Sequence, residues 1–373
     1  MIFSRCFYML PLGLALSAST AIAQTSDSLH LNQIQVIGTH NSYHAGFAPS
    51  AAKFWQSKNP DSFNGLDYRH QSLTQQLDSG VRQIELDIFA DTKGGLYAHP
   101  YGPTLVASAH LSPDPPFDPD SVMEKPGFKV MHMQDIDYRS TCQPFTACLN
   151  EVRKWSRAHP RHIPIFILVE TKQEQPRPGV QKVVPEPFTS STFDALDAEI
   201  SSVFPADEII TPDNVRGHYS TLNEAALGGN WPTLADARGK VIFLMDQRAA
   251  GPLYLAGHPS LRGRVLFTNA EPGQPDAAFI ERNDGPAAEI TELVRKGYLV
   301  RTRADADTKE ARSNSTARRD AMIDSGAQIL STDYPINEPA RWEGHYVVTF
   351  PGKVAVRASP VNSATSLRRE VLP

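Results

Sequence analysis

Eight short apolar runs, most of them opening just after a glycine, constrain what this chain can fold into. They cover residues 33–38, 81–89, 128–132, 163–170, 240–246, 264–268, 298–303 and 327–332. Each is nearly continuous in Val, Ile, Leu and Phe, the pattern of a parallel strand buried on both faces. Helical stretches lie between several of them, at 71–79, 149–158, 192–203, 287–296 and 308–325. Strand and helix alternating eight times predict an α/β fold, a (β/α)8 TIM-type barrel. The barrel is expected to be irregular, because connections such as the one after 264–268 carry only a weak helical pattern. The tail holds two further apolar runs, 346–350 and 353–357, around Pro351-Gly352, which reads as an appended C-terminal β-hairpin. Three stretches rich in Pro, Asp and Ser (100–126, 173–188 and 205–239) read as long loops over one face of the barrel.

The ends of the runs carry the chemistry. His40 and Asn41, Glu85 and Asp87, His132, Glu170 and Lys172, Asp246, Asn269, Arg301 and Arg303, and Asp333 all fall at C-terminal strand ends. That is the face on which barrel enzymes build their active sites. Glu85 and Asp87 are two apart on one strand and so share a side, as do Glu170 with Lys172 and Arg301 with Arg303. Carboxylates gathered on one side repel one another, and a cation among them relieves the repulsion. Metal-assisted chemistry on an anionic substrate is the expectation.

The remaining composition narrows the setting. Arg5, an apolar stretch over about 7–16 and the A-x-A-like Ala21-Ile22-Ala23 read as a cleavable signal, so residues 1–23 are set apart and 24–373 taken as one barrel domain. A secreted or periplasmic protein, cut near Ala23, is expected. No other segment approaches a membrane span. With a formal net charge of −5 there is no basic footprint for nucleic acid, and nothing points to a protein partner. Cys142 and Cys148 flank a Pro-containing loop; in an exported chain a disulfide is the first reading, with two reduced buried thiols as the other.

Four segments resemble a known family. Gly38-Thr-His40-Asn41-Ser-Tyr43 is similar to the first strand end of phosphoinositide-specific phospholipases C. Val81-Arg-Gln-Ile-Glu85-Leu-Asp87 resembles their E-x-D strand. Gly95-Leu-Tyr-Ala-His99-Pro-Tyr-Gly-Pro-Thr-Leu105 resembles their Y-H-G-x-T-L segment. Ile163-Pro-Ile-Phe-Ile-Leu-Val-Glu170 is similar to a later strand ending in Glu. The order agrees across 36–172, the second half matches more vaguely, and the secreted, calcium-dependent bacterial and fungal members are the nearest in character.

The resemblance implies a set of roles. Asn41, Glu85, Asp87 and Glu170 match calcium ligands, all hard oxygen donors that suit Ca2+ over zinc. His40 and His99 match two catalytic histidines, His40 stabilising the equatorial phosphate oxygens and His99 protonating the leaving alkoxide. Glu85 is the preferred acceptor of the inositol 2-hydroxyl proton. By charge and position, Lys172, Arg301 and Arg303 are candidates for contacting substrate. The expected substrate is unphosphorylated phosphatidylinositol, met at a membrane surface and cleaved to diacylglycerol and a cyclic inositol phosphate. His132 has no counterpart in the animal enzymes and reads equally as structural or as a group that orients a ligand. Asp135 and Asp137 read as loop braces. Phe47, Phe54, Trp55 and Phe63 read equally as a membrane-dipping patch or a local core. Two alternatives stand beside this reading. Gly326-Ala-Gln-Ile-Leu-Ser-Thr-Asp333-Tyr-Pro335 also resembles the last strand of glycerophosphodiester phosphodiesterases, which usually show His-Arg where this chain has His40-Asn41. A lipid-binding protein with a degenerate site is the other.

Overall fold

In the computed structural model, residues 26–372 are described; the signal-like segment lies outside them. Ten strands form one sheet: β1 Ile34–Thr39, β2 Gln83–Phe89, β3 Lys129–Val130, β4 Ile165–Thr171, β5 Val241–Met245, β6 Leu266–Phe267, β7 Phe279–Glu281, β8 Leu299–Arg303, β9 Ile329–Thr332 and β10 Val356–Ala358. Eight of these, in the order β6-β5-β4-β2-β1-β9-β8-β7, pair in parallel. A parallel bridge between Asn269 and Phe279 brings the two ends of that order together. The result is a nearly closed eight-stranded parallel barrel with helices around it, an irregular (β/α)8 barrel.

One stave is not the one the sequence suggests. The run at 128–132 pairs antiparallel with β2, through Ile88 with Val130 and Phe89 with Lys129, and stands outside the barrel order. Its place in the wall is taken by β7, whose apolar core is only Ala277-Ala-Phe-Ile280 and which follows no glycine. Three residues of strand, the last of them Glu281, give too little alternation or length to stand out.

The second irregularity is at β1. The chain turns after Phe350, which bridges antiparallel to Val354, and continues into β10. β10 then pairs antiparallel with the first half of β1, Ile34 against Ala358 and Val36 against Val356. β1 therefore meets β2 only at Gly38 with Gln83. That contact explains Gly38: a Cβ there would lie 1.9 Å from Gln83 Oε1 and 2.5 Å from Gln83 Cβ. Without one, the Gln83 amide lies across β1 and donates to the Thr39 carbonyl at 3.2 Å.

Helices Leu73–Asp78, Phe145–Ala158, Ser190–Val203, Ala287–Lys296 and Ala317–Ser325 pack outside the wall. Phe145–Ala158 buries Phe145, Leu149, Val152 and Trp155, and Ser190–Val203 buries Phe193, Leu196, Ile200 and Val203, spacings of three and four that make one apolar stripe each. Cys142 and Cys148 are joined, which ties the start of the former helix to the segment after β3.

Of the three long loops, 100–126 follows β2 and 173–188 follows β4, both on the C-terminal face. The third, 205–239, contains helices Pro212–Arg216, Leu222–Leu227 and Leu234–Ala237 and leads into β5 from its N-terminal end, where Ile210 N donates to Val241 O. It belongs to the face opposite the polar strand ends. Phe54 is buried with Ala51 and Val106, and Phe47, Trp55, Leu105 and Leu111 pack on that cluster, so these aromatics form a local core between two short helices.

Candidate metal centre and catalytic face

The site starts from strand register. β2 and β4 pair with Asp87 opposite Glu170 and Glu85 opposite Leu168. Residues level with each other on neighbouring strands point to the same side, so Asp87 and Glu170 are adjacent and Glu85 lies one step below. One carboxylate oxygen from each of Glu85, Asp87 and Glu170 falls within 4.8 Å of the others. Asp87 is fully buried, and neither of its oxygens has a hydrogen-bond partner.

Asn41 reaches the same place by a turn. It takes a positive φ of 47°, a conformation Asn tolerates better than most side chains. The turn folds the chain back onto β2: Ser42 N donates to Glu85 O at 3.1 Å, and Glu85 N donates to Ser42 Oγ at 2.7 Å. The Asn41 amide donates to Tyr68 OH at 2.8 Å, and its oxygen accepts only a long 3.3 Å bond from Tyr43 OH.

Two cations lie inside this acid cluster. Lys172 Nζ is 2.9 Å from Glu170 and 3.4 Å from Asp87. Arg301, 1 % exposed, holds Glu85 through Nη2 at 2.5 Å and Glu281 through Nη1 at 2.6 Å. Arg301 is thus engaged inside the protein, bracing a proposed ligand, and is not free to meet a substrate. Asp246 completes the acidic set beside Glu281 and Glu170.

Electrostatics follow from this crowding. Burial, with repulsion from Asp246 and Glu170, pushes Glu85 up to about 7 against the pull of Arg301. Burial and the neighbouring Glu170 push Asp87 well above the ordinary carboxylate range. Burial would raise Glu170 too, but Lys172 holds it low. Five carboxylates facing two cations, with the fully buried Asp87 met by Lys172 only at 3.4 Å, make a donor set that suits a hard divalent cation. Asn41, Glu85, Asp87 and Glu170 fit Ca2+.

Above them sits His40. Its Nδ1 is 2.8 Å from Asp333 Oδ1, and its Nε2 is 3.7 Å from Glu85. Arg303 Nη2 lies 3.3 Å from the same Nδ1 and 3.6 Å from Asp333. Burial and the Arg303 charge push His40 down to about 3, so the ring is neutral, its Nδ1 proton assigned to Asp333 by the hydrogen-bond pattern. His70 supports it from behind, donating from Nε2 to His40 O at 2.9 Å while Nδ1 meets Glu338. Burial would lower His70; the Glu338 hydrogen bond and charge outweigh it and raise it, which suits a ring that donates from both nitrogens.

His99 is not brought to this cluster. Its side chain is 88 % exposed and, among the described residues, pairs only with Glu124, at 3.2 Å. His132 is the second imidazole that the structure places here. Met131 N donates to Asp87 O at 3.3 Å, which sets His132 at the end of β2. Its Nδ1 is 2.9 Å from Asp137, whose carboxylate also accepts from the fully buried His44 at 2.8 Å. Asp137 is therefore part of the site's framework. Asp135 does brace loops: it accepts from Tyr101 N at 2.7 Å and from Lys182 N and Val183 N at 2.6 and 2.8 Å, joining the two loops over this face. His132, Gln134, Lys172 and Arg177 line an open cleft of about 820 Å3 beside the carboxylates.

Sequence reading missed Glu281, because its strand is short, and Tyr68, which carries no motif. The signal for Asp137 was present as His132-x4-Asp137, which puts both on one tight turn closed by Met133 and Asp137.

Comparison with known proteins agrees with this architecture. No sequence among the curated proteins matches this one. Among solved structures, the calcium-dependent phosphoinositol-specific phospholipase C of a Pseudomonas species is 17% identical, with 90% of this chain and 97% of that one covered at a TM-score of 0.53. The Ca2+-dependent phosphatidylinositol-specific phospholipase C of Streptomyces antibioticus is 19% identical, with 82% and 94% covered at 0.50. At such identities the likeness establishes the fold. The family model for phosphoinositide phospholipase C, Ca2+-dependent, matches residues 29–360, nearly the whole described chain. This protein belongs to that family of phosphodiester-cleaving enzymes.

Proposed function

We propose that this protein is exported, is cut near Ala23, and cleaves phosphatidylinositol at a membrane surface to diacylglycerol and a cyclic inositol phosphate. The observation that carries this reading is the carboxylate trio Glu85, Asp87 and Glu170, the first two fully buried, lying beside an imidazole anchored by Asp333. Asn41, Glu85, Asp87 and Glu170 would hold Ca2+, which supplies Lewis acidity toward the attacking hydroxyl and the phosphate.

The remaining work falls to the side chains. Glu85 accepts the proton of the ring 2-hydroxyl. Arg301 fixes the Glu85 carboxylate, so the base does not swing away as it loses charge. His40, held by Asp333 and His70, offers Nε2 to the phosphate oxygens; an anion beside the ring raises its proton affinity and favours the donor form. Arg303 lies next to His40 at the rim, in position to add positive charge as the phosphorus centre becomes more negative. Lys172 is bound between Glu170 and Asp87 and becomes available to the substrate only when those carboxylates take another cation.

Phosphorus NMR of the purified protein with phosphatidylinositol micelles tests the reading. A cyclic inositol phosphate signal that appears with Ca2+ and vanishes with a chelator is the expected result. Absence of turnover with Ca2+ refutes the substrate, and glycerol 3-phosphate as product from a glycerophosphodiester would favour the other barrel phosphodiesterase reading. Turnover indifferent to the chelator refutes the role given to Asn41, Glu85, Asp87 and Glu170.

A further inference from the structure

Cleavage of a glycerol ester needs a proton for the departing oxygen, and beside His40, which is given to the phosphate oxygens, the described residues contain a second imidazole built for the task. We infer that His132, not His99, is the proton donor to the leaving group, with Asp137 and His44 as its positioning residues. The inference rests on the phospholipase reading above and goes beyond it.

Three observations support the assignment. His132 sits where the reaction would occur: the residue before it donates to the Asp87 carbonyl, and its ring shares the cleft wall with Lys172. Its orientation is fixed. Nδ1 is 2.9 Å from Asp137 Oδ2, and Asp137 is itself locked by mutual backbone hydrogen bonds with Met133, 3.0 Å each way, and by two contacts from His44 Nε2 at 2.8 and 3.0 Å. His44 packs against Tyr68 with the rings tilted, centroids 4.7 Å apart, and the Tyr68 hydroxyl meets Asn41, so the framework runs unbroken from His132 back to a proposed ligand. Nε2, by contrast, makes no hydrogen bond among the described residues, and the side chain is 17 % exposed. An imidazole with one nitrogen clamped by a carboxylate and the other open to the site is the arrangement of a proton-transfer group.

A purely structural role accounts for less. Bracing Asp137 needs only the fully buried His44, which already makes two contacts to it. His99, carried forward by sequence resemblance, has no such framework: it is 88 % exposed, and among the described residues its one ion pair is with a half-exposed Glu124.

The step balances. The ring 2-oxygen bonds to phosphorus as the bond from phosphorus to the glycerol oxygen breaks. The hydroxyl proton goes to Glu85, and the glycerol oxygen takes the proton from His132 Nε2. The imidazolium becomes neutral imidazole, still held by Asp137.

The test turns on the leaving group. A phenolate departs from phosphorus without help, whereas a glycerol alkoxide does not. Wild type, His132→Ala, Asp137→Asn and His99→Ala are assayed with Ca2+ on phosphatidylinositol and on the 4-nitrophenyl phosphodiester of inositol. His132→Ala should lose about 10²- to 10⁴-fold in kcat on phosphatidylinositol and under tenfold on the nitrophenyl ester. Asp137→Asn, which keeps the shape of the turn, should show the same selectivity to a smaller degree, and His99→Ala should stay within about threefold of wild type on both. Equal losses by His132→Ala on the two substrates would overturn the inference, as would a leaving-group-selective loss in His99→Ala. Should His132→Ala not fold, as judged by circular dichroism, an Asp137→Asn that slows both substrates alike overturns it in turn. If wild type turns over neither substrate, the phospholipase reading itself fails; if it turns over both, only the assignment of His132 is in question.

Discussion

Replacing Arg301 with Met tests whether the acid cluster is held together by the charge placed inside it. The guanidinium is 1 % exposed and bonds Glu85, Glu281, Asn283 and Ser331. Met keeps much of the volume and removes the charge, leaving Glu85 and Glu281, 2 % and 6 % exposed, without their shared counter-ion. Removing one partner of a buried ion pair costs about 3–5 kcal/mol. For a chain of this size the unfolding entropy is about 0.7 kcal/mol/K, at roughly 2.1 cal/mol/K per residue, so the midpoint should fall by about 4–7 °C. The loss must also depend on pH. Burial already pushes Glu85 up to about 7 and Glu281 well above its ordinary value, with Arg301 opposing both. A carboxylate raised above its unfolded value of about 4.3 binds more protons folded than unfolded, so stability falls as pH rises through that window. Without Arg301 the window widens upward. Differential scanning calorimetry in chelator should therefore show a larger deficit at pH 8 than at pH 5. A deficit under 1 °C at pH 8, or one equal at both pH values, would refute the reasoning.

Asp87→Asn removes one charge from the trio while keeping its shape, and isothermal titration should show Ca2+ binding weakened about 10- to 100-fold, or 1.4–2.8 kcal/mol; unchanged affinity would move the metal elsewhere. His162 is clamped neutral, Nδ1 donating to Ile163 O at 2.7 Å and Nε2 accepting from Ser156 Oγ at 2.7 Å, and burial pushes it down to about 4. A depressed histidine adds stability above its unfolded value near 6.5 that is lost as pH falls toward 4, up to roughly 3 kcal/mol; His162→Gln should flatten the urea midpoint between pH 7 and 4.5, and an unaltered slope would count against it. Cys142→Ser opens the small ring from 142 to 148 and should cost about 2 kcal/mol in chemical denaturation, with no further loss in reductant.

The fold was legible because a barrel repeats its signal. Seven of the staves are long enough, or punctuated clearly enough by glycine, to be read one at a time; β7 is not, and the antiparallel pair at 128–132 carries the same local composition as a true stave. What separates those two is pairing partner, a non-local property that no window of sequence contains. The site divides along the same line. Glu85, Asp87 and Glu170 were readable because strand parity and register carry them to one place, whereas Asn41 came from the family resemblance and sits on the turn after β1. His99 was drawn in by its neighbours Tyr97 and Gly102, yet its segment follows β2 into a loop whose path is set by contacts with 122–124, such as Gly95 N to Met123 O. His132 gave the weaker motif and the better position, because it follows a strand paired to β2 itself.

The charges inside the barrel also explain why a phosphodiester enzyme of this shape would need a divalent cation at all. Lys172, Arg301 and Arg303 read from sequence as candidates for contacting the substrate's phosphate or ring substituents. In the structure each is already engaged: Lys172 with Glu170 and Asp87, Arg301 with Glu85 and Glu281, Arg303 with Asp333. The five carboxylates around the centre outnumber the two cations among them, so an incoming phosphate meets net negative charge in a low-dielectric setting, where repulsion between like charges is strongest. Two added positive charges cut that excess of three to one and release Lys172 from the carboxylates that hold it. Substrate should therefore follow the cation, and the same acids that are costly to bury together offer the hard oxygen donors that suit a divalent ion.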